Sequence, residues 1–85
     1  MKIIMYSKNE CPNCNIAENI LKARGVDYEI KKVDENPEYK DEYVNRVTQL
    51  TGSAPRSVPG IFAIDNNRTT YIGAQRELTP FFGAA

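Results

Sequence analysis

Two cysteines stand three positions apart in Cys11-Pro12-Asn13-Cys14, and the chain has no others. In a helical first turn, residues i and i+3 have Cα atoms about 5–6 Å apart, within the range a disulfide tolerates. Such a pair can alternate between dithiol and disulfide. A bridge this short closes a tiny loop and adds little stability, so it makes a poor scaffold staple. A closed zinc site takes four ligands. Here two thiolates are joined only by scattered carboxylates, and there is no histidine. Redox exchange is therefore the chemistry expected of the pair, with Cys11 as nucleophile and Cys14 as the resolving thiol. A metal or iron–sulfur site shared between chains is the other use two thiols allow. Pro12 suits the first helical position, where its missing N–H would be unpaired anyway. The free N–H groups and positive dipole end of that helix favour thiolate, the reactive form, at Cys11.

The flanking segments must position this pair. Lys2 to Tyr6 is a short apolar run that predicts a strand buried on both faces. Ser7 to Glu10 is a polar loop. Ile16, Ala17, Ile20 and Leu21 recur at helical spacing, and Gly25 supplies a stop. Val26, Tyr28 and Ile30 alternate with Asp27, Glu29 and Lys31, which predicts a second strand with one wetter face. Asn36 can cap and Pro37 can start another helix. Its apolar stripe is Tyr39, Tyr43, Val47 and Leu50, with Val44 beside them, and Gly52 closes it. Ser53 to Ser57 is a loop containing Pro55 and Arg56. Ile61 to Ile64 predicts a third strand, Asp65 to Arg68 a turn, and Thr69 to Ile72 a fourth strand in a hairpin with the third. Gly73 breaks that strand. Gln75 to Phe82 predicts a short last helix, interrupted or restarted at Pro80.

The order β-α-β-α-β-β-α implies an α/β chain. Its first β-α-β crosses over right-handed, which sets strands one and two parallel. The closing hairpin makes a four-stranded mixed sheet with three helices on its two faces. In open α/β sheets, sites form beyond the carboxyl ends of the parallel strands. The first strand ends just before Cys11.

At 85 residues the chain is read as a single domain, 1–85, with an economical core. Formal net charge is zero, and no basic run occurs, so nucleic acid is not an expected partner. No apolar stretch approaches the length of a membrane span. The N-terminus reads as a strand rather than a signal peptide. A cytoplasmic location is expected, where C-x-x-C is redox-active or metal-binding.

Tyr6-Ser7-Lys8-Asn9-Glu10-Cys11-Pro12-Asn13-Cys14 resembles the active-site segment of dithiol glutaredoxins, Y-S-K-x-x-C-P-Y-C. Gln49-Leu50-Thr51-Gly52 resembles the end of that family's second helix. Arg56-Ser57-Val58-Pro59 resembles its R-T-V-P loop. Tyr71-Ile72-Gly73-Ala74, followed by Glu77-Leu78, is similar to its I-G-G-x-x-D-L segment. The short length and brief C-terminal helix are similar to small bacterial and phage members. Four positions depart from the pattern: Asn13 replaces an aromatic, Ala74 a glycine, Glu77 an aspartate, and Arg76 a serine or threonine.

The resemblance implies a thioredoxin fold and a glutathione-dependent thiol–disulfide oxidoreductase. It would reduce protein disulfides and glutathione mixed disulfides, with glutathione as co-substrate and no bound metal or organic cofactor. Implied partners are glutathione and disulfide-containing proteins, ribonucleotide reductase among the candidates, and the chain would act as a monomer. In this reading Lys8, Gln49 and Arg56 bind the glycyl carboxylate of glutathione. Val58 offers its backbone beside a cis Val58-Pro59 bond. Gly73 and Ala74 receive the γ-glutamyl carboxylate, with Arg76 adding a second contact there, and Glu77 holds the γ-glutamyl ammonium. Asn13 completes the set of contacts. Without the resemblance, Lys8 and Arg56 read as solvated surface cations, Gln49 as an exposed helical residue, and Glu77 as a first-turn acid. Two other classes fit the motif: a thioredoxin-like electron donor served by a flavin reductase, and a non-catalytic metal or iron–sulfur carrier.

Overall fold

The computed structural model describes residues 1–83. The N-terminal apolar run forms strand β1, Lys2–Ser7, in which every residue after Lys2 is buried. Helix α1, Pro12–Arg24, starts at the cap residue Cys11 and ends at Gly25, whose φ of 66° is left-handed. Strand β2 is Asp27–Lys32. Helix α2, Pro37–Thr51, is capped by Asn36. The Asn36 side chain accepts a 2.9 Å bond from the Glu38 N–H, satisfying one orphan donor of the first turn. Strands β3, Gly60–Asp65, and β4, Arg68–Gly73, form the hairpin. Asn66 and Asn67 turn it with positive φ, as a tight hairpin turn requires.

The sheet order is β2-β1-β3-β4. β1 runs parallel to β2 and antiparallel to β3, and β4 is antiparallel to β3. Because side chains alternate along a strand, β1 serves two cores. Ile3 and Met5 pack with Ala17, Leu21, Ile61, Ala63 and Leu78 under α1 and the C-terminal helix. Ile4 and Tyr6 pack with Tyr43, Val47 and Phe62 under α2. The four-stranded mixed sheet with helices on both faces is thus the architecture expected from the element order.

Three details differ from the expectation. Ile16 and Leu50 share helical phase with buried neighbours but are about half exposed, at 46% and 50%. Leu50 is in the last turn of α2 and borders a hollow with Thr69 of the edge strand β4. β4 is the edge of the sheet. Second, the last segment is a 3₁₀ turn, Gln75–Glu77, followed by helix α3, Leu78–Phe82. The break falls at Leu78, not at Pro80. Pro80 lies in the first turn of α3, where a missing N–H costs nothing.

Third, the wetter face of β2 is covered at Lys31. Lys31 donates to both carboxylate oxygens of Glu42 on α2, at 3.2 and 3.0 Å. Its ammonium also lies 5.4 Å from the Tyr39 ring centre and 5.9 Å from that of Tyr6. The Tyr6 hydroxyl is buried without a hydrogen bond of good geometry. Burial, with the Glu42 carboxylate as a further neighbour, pushes its pKa up. Glu42 is its electrostatic neighbour rather than its bonded partner.

Burial alone would raise the Glu42 pKa, but Lys31, Tyr6 and Arg46 outweigh it and hold the group below its ordinary 4.5. A carboxylate with a depressed folded pKa stabilises the fold above its unfolded pKa. That contribution is lost as pH falls through the folded value. The urea midpoint is therefore expected to fall on acidification from neutral to about pH 3, and to fall less in Glu42→Gln. An equally steep acid limb in Glu42→Gln would assign the loss to other carboxylates.

Candidate active site

The dithiol stands where β1 hands over to α1. Cys11 and Cys14 are joined as a disulfide with Cα atoms 5.2 Å apart. Both are buried, Cys14 more deeply, at 2% exposure against 6%. The Cys14 N–H donates to the Cys11 sulfur at 3.2 Å. Cys11 is thus the side-chain cap of α1, and its sulfur receives a first-turn N–H at the positive end of the helix dipole. In the reduced site the same donor favours negative charge on Cys11 rather than Cys14. Pro12 is the first helical residue. Its ring keeps the turn stiff without removing a needed bond.

The strand register brings other segments to the same end of the sheet. Tyr6 pairs with Gly60, and Ile61 pairs with Gly73. The residues leaving β1, those entering β3 and those leaving β4 are therefore neighbours. Val58-Pro59, just ahead of β3, is a cis peptide bond. Tyr43 of α2 supports this loop, donating from its hydroxyl to the Ser57 carbonyl at 2.8 Å. Its ring stacks on Tyr6 with centres 4.9 Å apart. A Cβ on Gly60 would strike the Tyr43 ring, so glycine is what lets the helix approach the strand here.

A groove of about 280 Å³ opens between these parts, lined by Lys8, Val33, Lys40, Arg56 and Val58, among others. Among the described residues, neither Lys8, Lys40 nor Arg56 lies within ion-pair distance of a carboxylate. Three unneutralised cations facing one small groove suit a carboxylate-bearing ligand.

A family model of glutaredoxins matches residues 3–68. The chain belongs to the glutaredoxin family. The dithiolic glutaredoxin 2-C-Grx1 of Trypanosoma brucei brucei is similar in structure, with a TM-score of 0.69 and 26% identity over 94% of this chain and 75% of that one. A wheat glutaredoxin gives a TM-score of 0.71 at 20% identity, covering 98% of this chain and 72% of that one. A buckwheat glutaredoxin solved in complex with glutathione gives 0.68 at 20% identity, covering 94% and 66%. At that identity the two plant structures establish the thioredoxin fold alone. No curated protein matches the sequence significantly.

Family membership and the Cys11–Cys14 pair together support thiol–disulfide oxidoreductase activity. The further residues singled out in this glutaredoxin sort into four places. Lys8, Arg56 and Val58 converge on the groove. Asn13 is exposed in the first turn of α1. Gly73 ends β4, and Ala74, Arg76 and Glu77 follow it. Gly73 has a φ of 118°, and the Glu77 carboxylate lies over it, so that an added Cβ would meet its Oε1 at 3.0 Å. Arg76 is 85% exposed, and its Nε sits 3.4 Å from Glu77 Oε2. That oxygen is buried without a hydrogen bond, so the Arg76 contact is one of charge. Arg76 here engages the neighbouring acid rather than standing open.

Gln49 is not brought to the groove. It lines a separate hollow with Arg46, Leu50 and Thr69. The α2 residues that do line the groove include Lys40 and Val44. At about 100° per residue, nine residues place Gln49 on the side of α2 opposite Lys40. Lys40 was missed because a lone helical lysine is ordinary in sequence. Its spacing to Tyr43 and Val44, three and four residues on, was the available signal. Among the described residues no three metal-ligating side chains converge, and no helix is long and apolar enough to cross a membrane.

Proposed function

We propose that this glutaredoxin uses glutathione to reduce glutathione mixed disulfides and protein disulfides. The observation that carries the reading is the convergence of Lys8, Lys40 and Arg56 on a groove that Val58 also lines, at the end of the sheet where the dithiol lies. A tripeptide thiol with a free carboxylate fits such a place. The cations bind the carboxylate, and the Val58 backbone ahead of the cis Pro59 offers peptide hydrogen bonds. The buckwheat protein, solved with glutathione, shares the fold.

In the reaction, the Cys11 thiolate attacks the glutathione sulfur of a mixed disulfide. A bond forms between these sulfurs, and the substrate thiol leaves with the electron pair and takes up a proton. A second glutathione thiolate then attacks the glutathionyl sulfur on Cys11. Oxidised glutathione departs and the Cys11 thiolate is regenerated. With a protein disulfide, Cys11 forms the mixed disulfide and Cys14 attacks it from one turn away. The protein leaves reduced, and the Cys11–Cys14 disulfide remains to be reduced by two glutathiones.

Reduction of a small glutathione mixed disulfide, coupled to glutathione reductase, tests the reading. Lys8→Ala and Arg56→Ala are each expected to raise KM for the glutathione substrate about fivefold to tenfold, with kcat changed less than about twofold. The carboxylate they bind is remote from the reacting sulfur and changes little on the way to the transition state. Gln49→Ala, on the far side of α2, should leave both constants alone. No turnover with glutathione, alongside good turnover with a flavin-linked reductase, would move the chain to the thioredoxin-like electron donors.

A further inference from the structure

The Lys8–Cys11 loop has no regular secondary structure of its own, yet it must hold both a groove cation and the nucleophile. The β1–β2 ladder runs to the pair Ser7 and Lys32. One more backbone bond follows, from the Val33 N–H to the Ser7 carbonyl at 2.9 Å. Beyond that point Asn9 takes over the stitching. Its backbone N–H donates to Asp34 Oδ2 at 3.1 Å. Its side-chain amide donates to Glu35 Oε2 at 2.8 Å. Its side-chain oxygen accepts from the Lys32 ammonium at 2.6 Å. All three bonds have a charged partner, which strengthens them relative to neutral ones.

Position in the chain gives this cluster its consequence. Lys8 precedes Asn9 directly, and Lys8 lines the groove. Val33 lines it too, and the Asp34-Glu35 segment leads straight into the Asn36 cap of α2, which carries Lys40. Asn9 therefore ties one wall of the groove to the start of the other. After it comes Glu10, whose φ of 54° is left-handed. A non-glycine residue there is strained and persists only where its surroundings hold it. The Asn9 bonds hold it on one side and the Cys11 cap on the other.

We propose that Asn9 is a positioning residue that sets the width of the groove and the placement of the Cys11 loop. It touches neither substrate nor reacting sulfur. Its effect on glutathione rests on the function proposed above, while its effect on the loop does not.

The test uses Asn9→Ala and Asn9→Asp in the full chain. Asn9→Ala removes two of the three bonds. Asn9→Asp keeps the size and the Lys32 bond but sets a third carboxylate against Asp34 and Glu35. Backbone amide exchange at residues 8–11 is expected to speed up about fivefold or more in both, since local opening follows the bonds that oppose it. KM for a small glutathione mixed disulfide should rise about 3–10-fold while kcat moves less than about twofold. The bonds are exposed, so the global urea midpoint should barely change. Added salt should partly restore Asn9→Asp by screening and leave Asn9→Ala as it is. Wild-type amide exchange in both variants overturns the proposal, and so does faster exchange with KM unchanged. If the wild-type chain does not turn over glutathione substrates, the proposed function fails. Exchange at residues 8–11 and the rate of Cys11 alkylation then decide the role of Asn9 alone, faster exchange with altered alkylation supporting it.

Discussion

Cys11→Ser is expected to abolish thiol–disulfide exchange with every substrate, whereas Cys14→Ser keeps one reaction and loses another. The asymmetry follows from the placement of the sulfurs. Cys11 caps α1 and receives the Cys14 N–H on its sulfur, so it is the one favoured as thiolate. A serine hydroxyl there cannot attack a disulfide. Cys14 lies deeper, one turn along, placed to reach a sulfur bonded to Cys11 but not a bulky substrate. Deglutathionylation requires one attacking sulfur, so Cys14→Ser should retain it. Clearing a protein trapped on Cys11 requires two, so protein disulfide reduction should drop by about tenfold or more. The two variants are to be compared in the glutathione mixed-disulfide assay and in reduction of a protein disulfide. Equal losses in both assays would sink the division of roles.

The largest effect on stability is expected from Gly60→Ala. Gly60 is buried at the start of β3 beside Tyr6, and an added Cβ would run into the ring of Tyr43. The ring has little room to yield. It stacks on Tyr6 and meets the edge of Phe62, and its hydroxyl is bonded to the Ser57 carbonyl. Pushing it aside overpacks the core and breaks that bond, together about 3 kcal/mol. Tyr43→Phe should cost only about 1 kcal/mol, since it removes the hydroxyl and leaves the stack. The decisive measurement is a double-mutant cycle in urea. Once Tyr43→Ala has vacated the space, adding Gly60→Ala should cost almost nothing more. Additive costs would place the Gly60 penalty in the backbone rather than the ring.

Much of this was legible because single residues mark boundaries. Pro12 and Pro37 stand at helical first positions, Gly25 and Gly52 end the same helices in left-handed conformation, and the Asn66-Asn67 turn joins β3 to β4. Each of these acts through its own backbone, so its effect can be read without knowing its neighbours. Helical phase was a weaker guide. Tyr43, Val47 and Leu50 lie along one stripe, yet Leu50 is half exposed, at a hollow beside Thr69 of the edge strand β4. The same limit separates Lys40 from Gln49: sequence offers two polar residues on one helix, and only the packing of α2 decides which faces the groove. Lys31 shows it again. A strand lysine reads as solvated until Glu42 covers it from another element.

The central place of β1 has a consequence for how the chain is made. Its neighbours arrive at very different times, since Lys2 pairs with Asp27 on one side and with Ile64 on the other. A ribosome-bound chain that has released β2 and α2 still leaves one edge of β1 bare, with Ile3 to Tyr6 lacking the cover of β3. Such an unpaired apolar edge is a template for wrong pairing. A chain stalled or cut before β3 should therefore be held by chaperones or aggregate rather than persist as a smaller working enzyme. Cys11 and Cys14, by contrast, emerge early and need no distant partner to find each other. In the nascent protein the dithiol is complete before Arg56 and Val58 arrive to close the groove.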